Sequence, residues 1–328
     1  MPEGKQRELE RDIQRFEDEG GFVPDASLGN ARINGPETTL EQMEEDHYLS
    51  GNHNLKEVYE RVKKRLKRPL VIANYVTDKN GVIAIEGVDG PPPEIKNDFD
   101  WARFQELQAQ ADIIITATGY LNRFKQQGEK AQNVLNQFDE GQTFGHLGDW
   151  RLKHGYLQRN PDVAVTSRSL DFDFPDILAR EGRRIFIFTT DQMADSEKAR
   201  DFRKRGAIVI GAGQEGVDGK IMIERLGKEG YEVVKMATGP GILKILLEAK
   251  VLDRLYLTQV QREIPGDPEK FITIPINQNS ANVVDLSGMR FKLKESFVHE
   301  GAKAKDGGII TQKFMVYESE GFLEALTS

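Results

Sequence analysis

The sequence predicts an α/β protein built on a mixed, mostly parallel sheet flanked by helices, with an N-terminal helical and irregular extension. Three observations predict it. Between residues 100 and 258 short apolar runs alternate with helix-like segments, the pattern of parallel strands buried on both faces. Alternating, turn-punctuated segments on either side of that region add antiparallel strands. The first 66 residues have a different texture: residues 1–50 carry 13 acidic and 5 basic side chains, whereas the remaining residues carry 40 of each. The expected organisation is therefore an acidic extension over 1–66 and an α/β domain over 67–328.

The extension opens with "GKQRELERDIQRFED", where Leu9, Ile13 and Phe16 recur at helical spacing. Residues 19–52 are rich in Gly, Pro, Asn and Asp and read as an irregular arm. A helix is expected from the N-cap Asn54 through "LKEVYERVKKRLK", with Leu55, Val58, Val62 and Leu66 on one face. Its basic end, Lys63, Lys64, Arg65, Lys67 and Arg68, reads as a solvated helix terminus, where the helix dipole favours cations, rather than as an anion patch.

The domain begins with the strand "PLVIANYVT", the hairpin-type turn "DKNG" and the strand "VIAIEG". "DWARFQELQAQA" reads as a helix and "DIIITATG" as a buried strand. Residues 120–160 are polar and irregular. Strands follow at "DVAVTS", "RRIFIFTT", "AIVIGAG" and "YEVVKMA", separated by a helical turn at "FPDILAREG" and by helices at "MADSEKARDFRKRG" and "DGKIMIERLGKEG". A Gly-Pro-Gly turn leads into the helix "ILKILLEAK" and the strand "LDRLYLT", and the tail alternates like a closing antiparallel pair.

Composition excludes several classes. With 328 residues, 38% hydrophobic and 30% charged, the chain can bury a sizeable core as one large or two smaller domains. No apolar run approaches the ~20 residues needed to span a bilayer. The charged start has no apolar signal core, so a cytoplasmic protein without a membrane partner is expected. The absence of cysteine excludes disulfides and thiolate chemistry, and five scattered histidines offer no metal-ligand spacing, so no metal is expected. The balanced charge of the main body argues against nucleic acid.

Chemistry is expected where strands end in small polar residues, because open α/β sheets bind ligands at their carboxyl edge. "TATG" brings Thr116, Ala117, Thr118 and Gly119 to one strand end, and "FTTD" brings Thr189 and Thr190 to another. At the third, "MATGPGIL", Gly239 and Gly241 leave the backbone bare and Pro240 stiffens the turn. The helix amides from Gly241 onward suit a phosphate group; the other reading is a tight connection with no ligand. "GAGQEG" supplies Gly211, Gly213 and Gly216, a literal GxGxxG, but in poor context. Asp218 reads as the N-cap of the next helix, so that helix does not open on the third glycine, and the strand after it lacks an acidic end.

The order of "RPLVIANYVTDKNGVIA", "ADIIITATG", "IFIFTT", "GAIVI" and "VDGKIMIERLGKEGYEVVKMATGPGILKILLEAKVLDRLYLT" resembles the reductase domain of riboflavin biosynthesis, the C-terminal half of the bifunctional deaminase-reductase. The resemblance runs from about residue 68 to the end and is densest over 206–258. It implies a dihydrofolate-reductase-like fold, a homodimer, and NADPH-dependent reduction similar to that of 5-amino-6-(5-phosphoribosylamino)uracil reductase, on a small pyrimidine- or pterin-like C=O or C=N substrate. NADH is not excluded as the cofactor. By the same resemblance Gly239, Pro240, Gly241 and Ile242 hold the cofactor's phosphates, Thr118, Gly119 and Tyr120 lie along it, and Thr189, Thr190 and Thr238 are counted with the cofactor-binding residues.

The substrate motifs depart from the family pattern. Where the family has Ser-Leu-Asp-Gly, this chain has Asp78, Lys79, Asn80 and Gly81. Asp78 is the nominated proton donor or relay and Asn80 an orienting group; the other reading of Asp78 is a turn residue. Ala237 and Thr238 replace a glutamate and a glycine, and Tyr120 replaces a threonine. The arginine-rich loop is reduced to Arg123 and Lys125, and Lys235 is a further possible phosphate contact. Two rival readings follow: a degenerate scaffold that binds a ligand or a partner, and a dinucleotide dehydrogenase using Gly211, Gly213 and Gly216.

Overall fold

The structure, a computed structural model, describes residues 49, 54–88, 90–119, 121–122, 135–172, 182–274, 276–280 and 282–327. The expected helix with Leu9, Ile13 and Phe16, the arm, Tyr120, Arg123, Lys125 and the helical turn at 174–181 lie outside these residues. In chain order the described elements are α1 (Leu55–Leu66), β1 (Leu70–Thr77), β2 (Val82–Ile85), α2 (Asp98–Ala109), β3 (Ile113–Ala117), α3 (Gly145–Lys153), β4 (Asp162–Thr166) and β5 (Ile185–Thr189). They continue with α4 (Asp191–Ala194), α5 (Glu197–Lys204), β6 (Ile208–Gly211), α6 (Gly219–Lys228), β7 (Val233–Met236), α7 (Pro240–Glu248) and β8 (Arg254–Val260). The last are β9 (Phe271–Thr273), β10 (Ile276–Ser280), β11 (Val283–Leu286), β12 (Met289–Lys303), β13 (Ile309–Ser319) and α8 (Glu320–Thr327). The mixed sheet flanked by helices is the fold the alternation predicts.

The chain divides into two compact units, one of Met1–Val23 and Ala111–Val251, the other of Pro24–Gln110 and Leu252–Ser328. In the first, five parallel strands lie in the order β7-β3-β4-β5-β6. Their side chains are almost wholly buried, as expected of continuous apolar runs in a parallel sheet: every residue of β3, β5 and β7 is buried. Helices α5 and α6 begin on Ser196 and Asp218, each accepting backbone N–H bonds through its side chain.

Residues 135–160 belong to this unit and are more ordered than their polar sequence suggests. They pack at the amino ends of the strands. Arg151, inside α3, is buried and donates to the Ala111 carbonyl at 2.6 Å and to the Gln158 carbonyl at 3.1 Å. Arg183 donates to the carbonyls of Pro161 (2.7 Å) and Leu135 (2.5 Å), and Arg159 to those of Phe138 and Gly145. Buried and half-buried arginines here do the tying that apolar side chains do elsewhere. Burial in turn lowers the pKa of Arg151 to about 10.

In the second unit β1 and β8 pair in parallel, and β13, β12, β11 and β10 continue antiparallel. The long β12–β13 pair is the closing antiparallel pair of the sequence. The "DKNG" turn forms, with the Asp78 amide bonded to the Val82 carbonyl, but β2 does not continue as a hairpin with β1: it pairs with β9 in a separate two-stranded sheet. Asn54 caps α1 as expected, accepting from the Glu57 amide at 3.2 Å, and Leu55, Val58 and Val62 are its buried face.

The basic end of α1 is structural. Arg68 forks onto the fully buried Asp253 at 2.7 and 2.8 Å, Arg65 donates to the Ala325 carbonyl near the end of α8, and Lys63 pairs with Glu60.

Candidate functional site

The three small-residue strand ends singled out in the sequence all belong to the parallel unit, at its carboxyl edge. Register fixes their relation. Ile115 of β3 pairs with both Met236 of β7 and Ala164 of β4, so β3 and β4 end level at Ala117 and Thr166 and β7 ends two residues earlier. Thr189 of β5 pairs with Gly211 of β6.

At the end of β7 the chain turns sharply into α7. The Ala237 amide still bonds to the Ile115 carbonyl (2.9 Å), Gly239 is the N-cap, and Pro240 is the first helical residue. No side chain caps this helix. Proline at the first position suits a turn whose N–H would have no intrahelical partner. The amides that follow are presented by a bare backbone: a Cβ placed on Gly239 would meet nothing within 4 Å. A helix N-terminus in that state carries partial positive charge and free donors.

A second observation lies beneath the turn. Thr116, one residue beyond the Ile115–Met236 pair and therefore beside Ala237, is 0% exposed, and its Oγ1 has no hydrogen-bond partner in the protein. A buried hydroxyl without a partner is uncommon, and a bound group or water is the usual explanation. Gly119, at the same edge, also faces open space, and Thr118 is buried. These residues fit a phosphate-bearing ligand laid across the ends of β7 and β3.

Thr189 and Thr190 have structural work: Thr189 Oγ1 donates to the Arg168 carbonyl at 3.5 Å, and Thr190 caps α4 by accepting from the Met193 amide at 3.2 Å. The GxGxxG stretch is likewise committed to its own loop. The Gly213 carbonyl accepts from the Asp191 amide at 2.7 Å, and the Ala212 carbonyl accepts from the Asp218 amide at 2.6 Å. A Cβ on Gly213 would strike the Gly216 carbonyl oxygen, and φ at Gly213 is +141°, a conformation only glycine tolerates readily. Asp218 is the N-cap of α6 as expected.

Asp78 and Asn80 lie in the other unit. The Asp78 carboxylate is 1% exposed and fully engaged: Oδ1 accepts the amides of Asn80 and Val82, each at 2.8 Å, and Oδ2 accepts the Ile264 amide at 3.2 Å. That is the geometry of a turn organiser. The Asn80 side chain reaches Glu263 at 3.4 Å. Lys235 is 0% exposed inside β7, in register with Ile114, so it is no surface contact for a phosphate. Ala237, in place of the family's glutamate, is buried.

Sequence reasoning overlooked Arg168. It lies two residues past the end of β4 and is exposed. The signal was present in "DVAVTSR", an arginine two residues past a buried strand, but the side chain's exposure emerges only in the fold.

Together these elements define an α/β protein with a mixed sheet and an uncapped helix N-terminus at the carboxyl edge of its parallel strands. The chain belongs to the RibD C-terminal domain family, whose model matches residues 69–264, more than half of the sequence. Among solved structures it is similar to a pyrimidine reductase-like protein from Corynebacterium diphtheriae, with 21% identity over 81% of this chain and 98% of that one and a TM-score of 0.53. It is also similar to RibD of Acinetobacter baumannii, with 10% identity over 80% of this chain and 61% of that one and a TM-score of 0.50. The chain thus spans about three-fifths of the Acinetobacter protein, and at these identities the likeness is one of fold. No curated protein sequence matches it.

Proposed function

We propose that this chain is a nicotinamide-dependent reductase that acts on a small polar C=O or C=N substrate, with NADPH as its cofactor. The observation that carries this reading is the uncapped N-terminus of α7 behind Gly239, Pro240 and Gly241, in a chain of the RibD C-terminal domain family. The amides of Gly241 and Ile242 supply donors and the helix dipole supplies positive potential for a pyrophosphate. Thr116, Thr118, Gly119 and Thr238 line the same edge, and the bare backbones of Gly119 and Gly239 permit close approach. When bound, the nicotinamide supplies hydride chemistry; the protein's part is binding and orientation.

The proton that accompanies hydride transfer needs a donor. The sequence offers Asp78, but its carboxylate is fully engaged by three amides. Asn80 is the freer of the two, with one 3.4 Å contact, and is proposed only to orient substrate. A homodimer working in the cytoplasm on a pyrimidine- or pterin-like compound is the corresponding biological reading, taken from the family. Among the described residues no helix is long and apolar enough to cross a membrane.

The test is titration of the purified chain with NADPH and NADH, followed by nicotinamide fluorescence, and then a screen of carbonyl and imine heterocycles for substrate-dependent loss of absorbance. Micromolar binding and turnover of any of them support the reading. Binding without turnover favours the ligand-binding scaffold, and no binding rejects both forms of the proposal.

A further inference from the structure

We infer that Lys235 is the source of the proton that accompanies hydride transfer, delivered to the substrate through the hydroxyl of Thr116. The inference rests on the proposed reductase reading and supplies the donor that Asp78 does not.

Register places the two residues. Lys235 of β7 pairs with Ile114 of β3, and the ladder continues past Met236, since the Ala237 amide bonds to the Ile115 carbonyl. Side chains on a strand alternate between the two faces of the sheet, and paired residues share a face. Lys235, Ile114, Ala237 and Thr116 therefore stand on the same face, with Ala237 and Thr116 one step nearer the carboxyl edge. The Ala237 methyl fills little of that step. The four-carbon stem of Lys235 is long enough to climb the roughly 7 Å rise of two strand residues and bring Nζ level with Thr116.

Chemistry singles out Lys235. Burying an ammonium is costly, and an apolar residue would serve β7 equally well as sheet. Among the described residues only Lys235 and Lys313 are buried lysines, and Lys313 belongs to β13 in the other unit. From residue 113 to 122 and from 233 to 241, Lys235 is the only titratable side chain among the described residues. Asp112 lies at the opposite end of these strands, with Oδ2 accepting the Glu232 and Val233 amides. On the helices that precede and follow β7, Lys220, Glu224, Arg225, Lys228, Lys244 and Glu248 are all exposed, so none of them enters the interior around Lys235.

Thr116 is the link. It is fully buried, and its Oγ1 has no hydrogen-bond partner in the protein. A hydroxyl donates and accepts at once, so it can take a proton from the Lys235 ammonium while giving its own to a group above it. As the substrate carbon gains hydride, the electron pair of its double bond moves to the nitrogen or oxygen, and that atom takes the Thr116 proton. Lys235 reprotonates Thr116, and the amine left behind regains a proton from water once the product leaves.

The first experiment needs no substrate. Pyridoxal 5′-phosphate offers a phosphate for the α7 turn and an aldehyde for an amine beside it. The Lys235 amine forms an imine with loss of water, and borohydride reduces the imine to a stable secondary amine that peptide mass analysis locates. Modification at Lys235, blocked by NADPH, is expected. The second experiment compares the native chain, Lys235→Met and Thr116→Val for NADPH affinity, Tm and the pH profile of kcat on a heterocycle turned over in the screen. Lys235→Met should keep NADPH affinity and Tm, lose roughly 100-fold or more in kcat, and lose the alkaline fall in rate that titration of the donor imposes on the native chain. Thr116→Val should show the same loss of kcat. A chain that binds NADPH but gains no NADPH-protected label at Lys235, or a Lys235→Met variant with the native pH profile, overturns this inference and leaves the reductase reading standing. A native chain that binds neither NADPH nor NADH overturns both.

Discussion

Asp191 and Gly213 clasp one another: the Asp191 amide donates to the Gly213 carbonyl at 2.7 Å while the Gly213 amide donates to Asp191 Oδ1 at 3.3 Å. Gly211 completes the clasp, because a Cβ there would stand 2.7 Å from Asp191 Oδ1. The three glycines that look like a dinucleotide fingerprint therefore serve the closure of the loop between β6 and α6. Gly213→Ala should destabilise the chain by roughly 1–3 kcal/mol through strain at a positive φ, read as a lower urea midpoint. A loss of nucleotide binding without loss of stability would instead favour the dehydrogenase reading.

Asp78 organises its turn through three accepted amide bonds. In Asp78→Asn an amide NH2 replaces one acceptor and faces a backbone N–H. The expected cost is about 1–3 kcal/mol of unfolding free energy, measured by urea titration. Should turnover collapse while stability holds, Asp78 acts on the proton rather than on the loop.

Arg68 and Asp253 form a fork in which the carboxylate is fully buried, and burial raises the Asp253 pKa even though Arg68 opposes the shift. Arg68→Met strands that charge and should cost about 3–5 kcal/mol. The double variant Arg68→Met with Asp253→Asn removes the charge, keeps an acceptor for the Val71 amide, and should recover much of the loss. Equal instability of the single and double variants would show that the fork matters for packing alone.

His299 lies against Phe99 of α2, with ring centres 4.1 Å apart and planes tilted by 34°, and bonds through Nδ1 to the Gln312 side-chain amide at 3.1 Å. Burial lowers its pKa, and the Arg103 guanidinium lies 5.2 Å from the Phe99 ring centre on this same cluster. The folded form thus takes up a proton less readily than the unfolded chain. Its stabilising contribution is complete above the unfolded value near 6.5 and falls away as the pH drops through the lower folded value. Chemical unfolding at pH 7.5 and 5.5 should show a smaller pH-dependent loss for His299→Gln than for the native chain. An identical loss in both would place the acid sensitivity elsewhere.

The parallel sheet was legible because its strands are uninterrupted apolar runs, and α1 and α6 because Asn54 and Asp218 are strong caps. Residues 135–160 were not, since their order comes from Arg151, Arg159 and Arg183 bonding distant carbonyls, which no local pattern reveals. The partner of β2 was misread for a related reason: a turn such as "DKNG" specifies local reversal, but pairing with β9 is decided some 190 residues later. At the candidate site the glycine turn was visible as a motif. The buried Thr116 hydroxyl and its place beside Ala237 depend on strand register, which only the fold supplies.

The central claim is that Gly239–241 and the start of α7 bind the cofactor's phosphates. The most direct measurement compares nucleotide affinity and Tm in Gly241→Asp and Gly213→Ala. An aspartate in the first turn favours the helix dipole but repels phosphate. The account predicts that Gly241→Asp keeps its Tm and loses NADPH binding, while Gly213→Ala loses Tm and keeps the affinity of its folded fraction. NADPH binding that survives Gly241→Asp unchanged would contradict it.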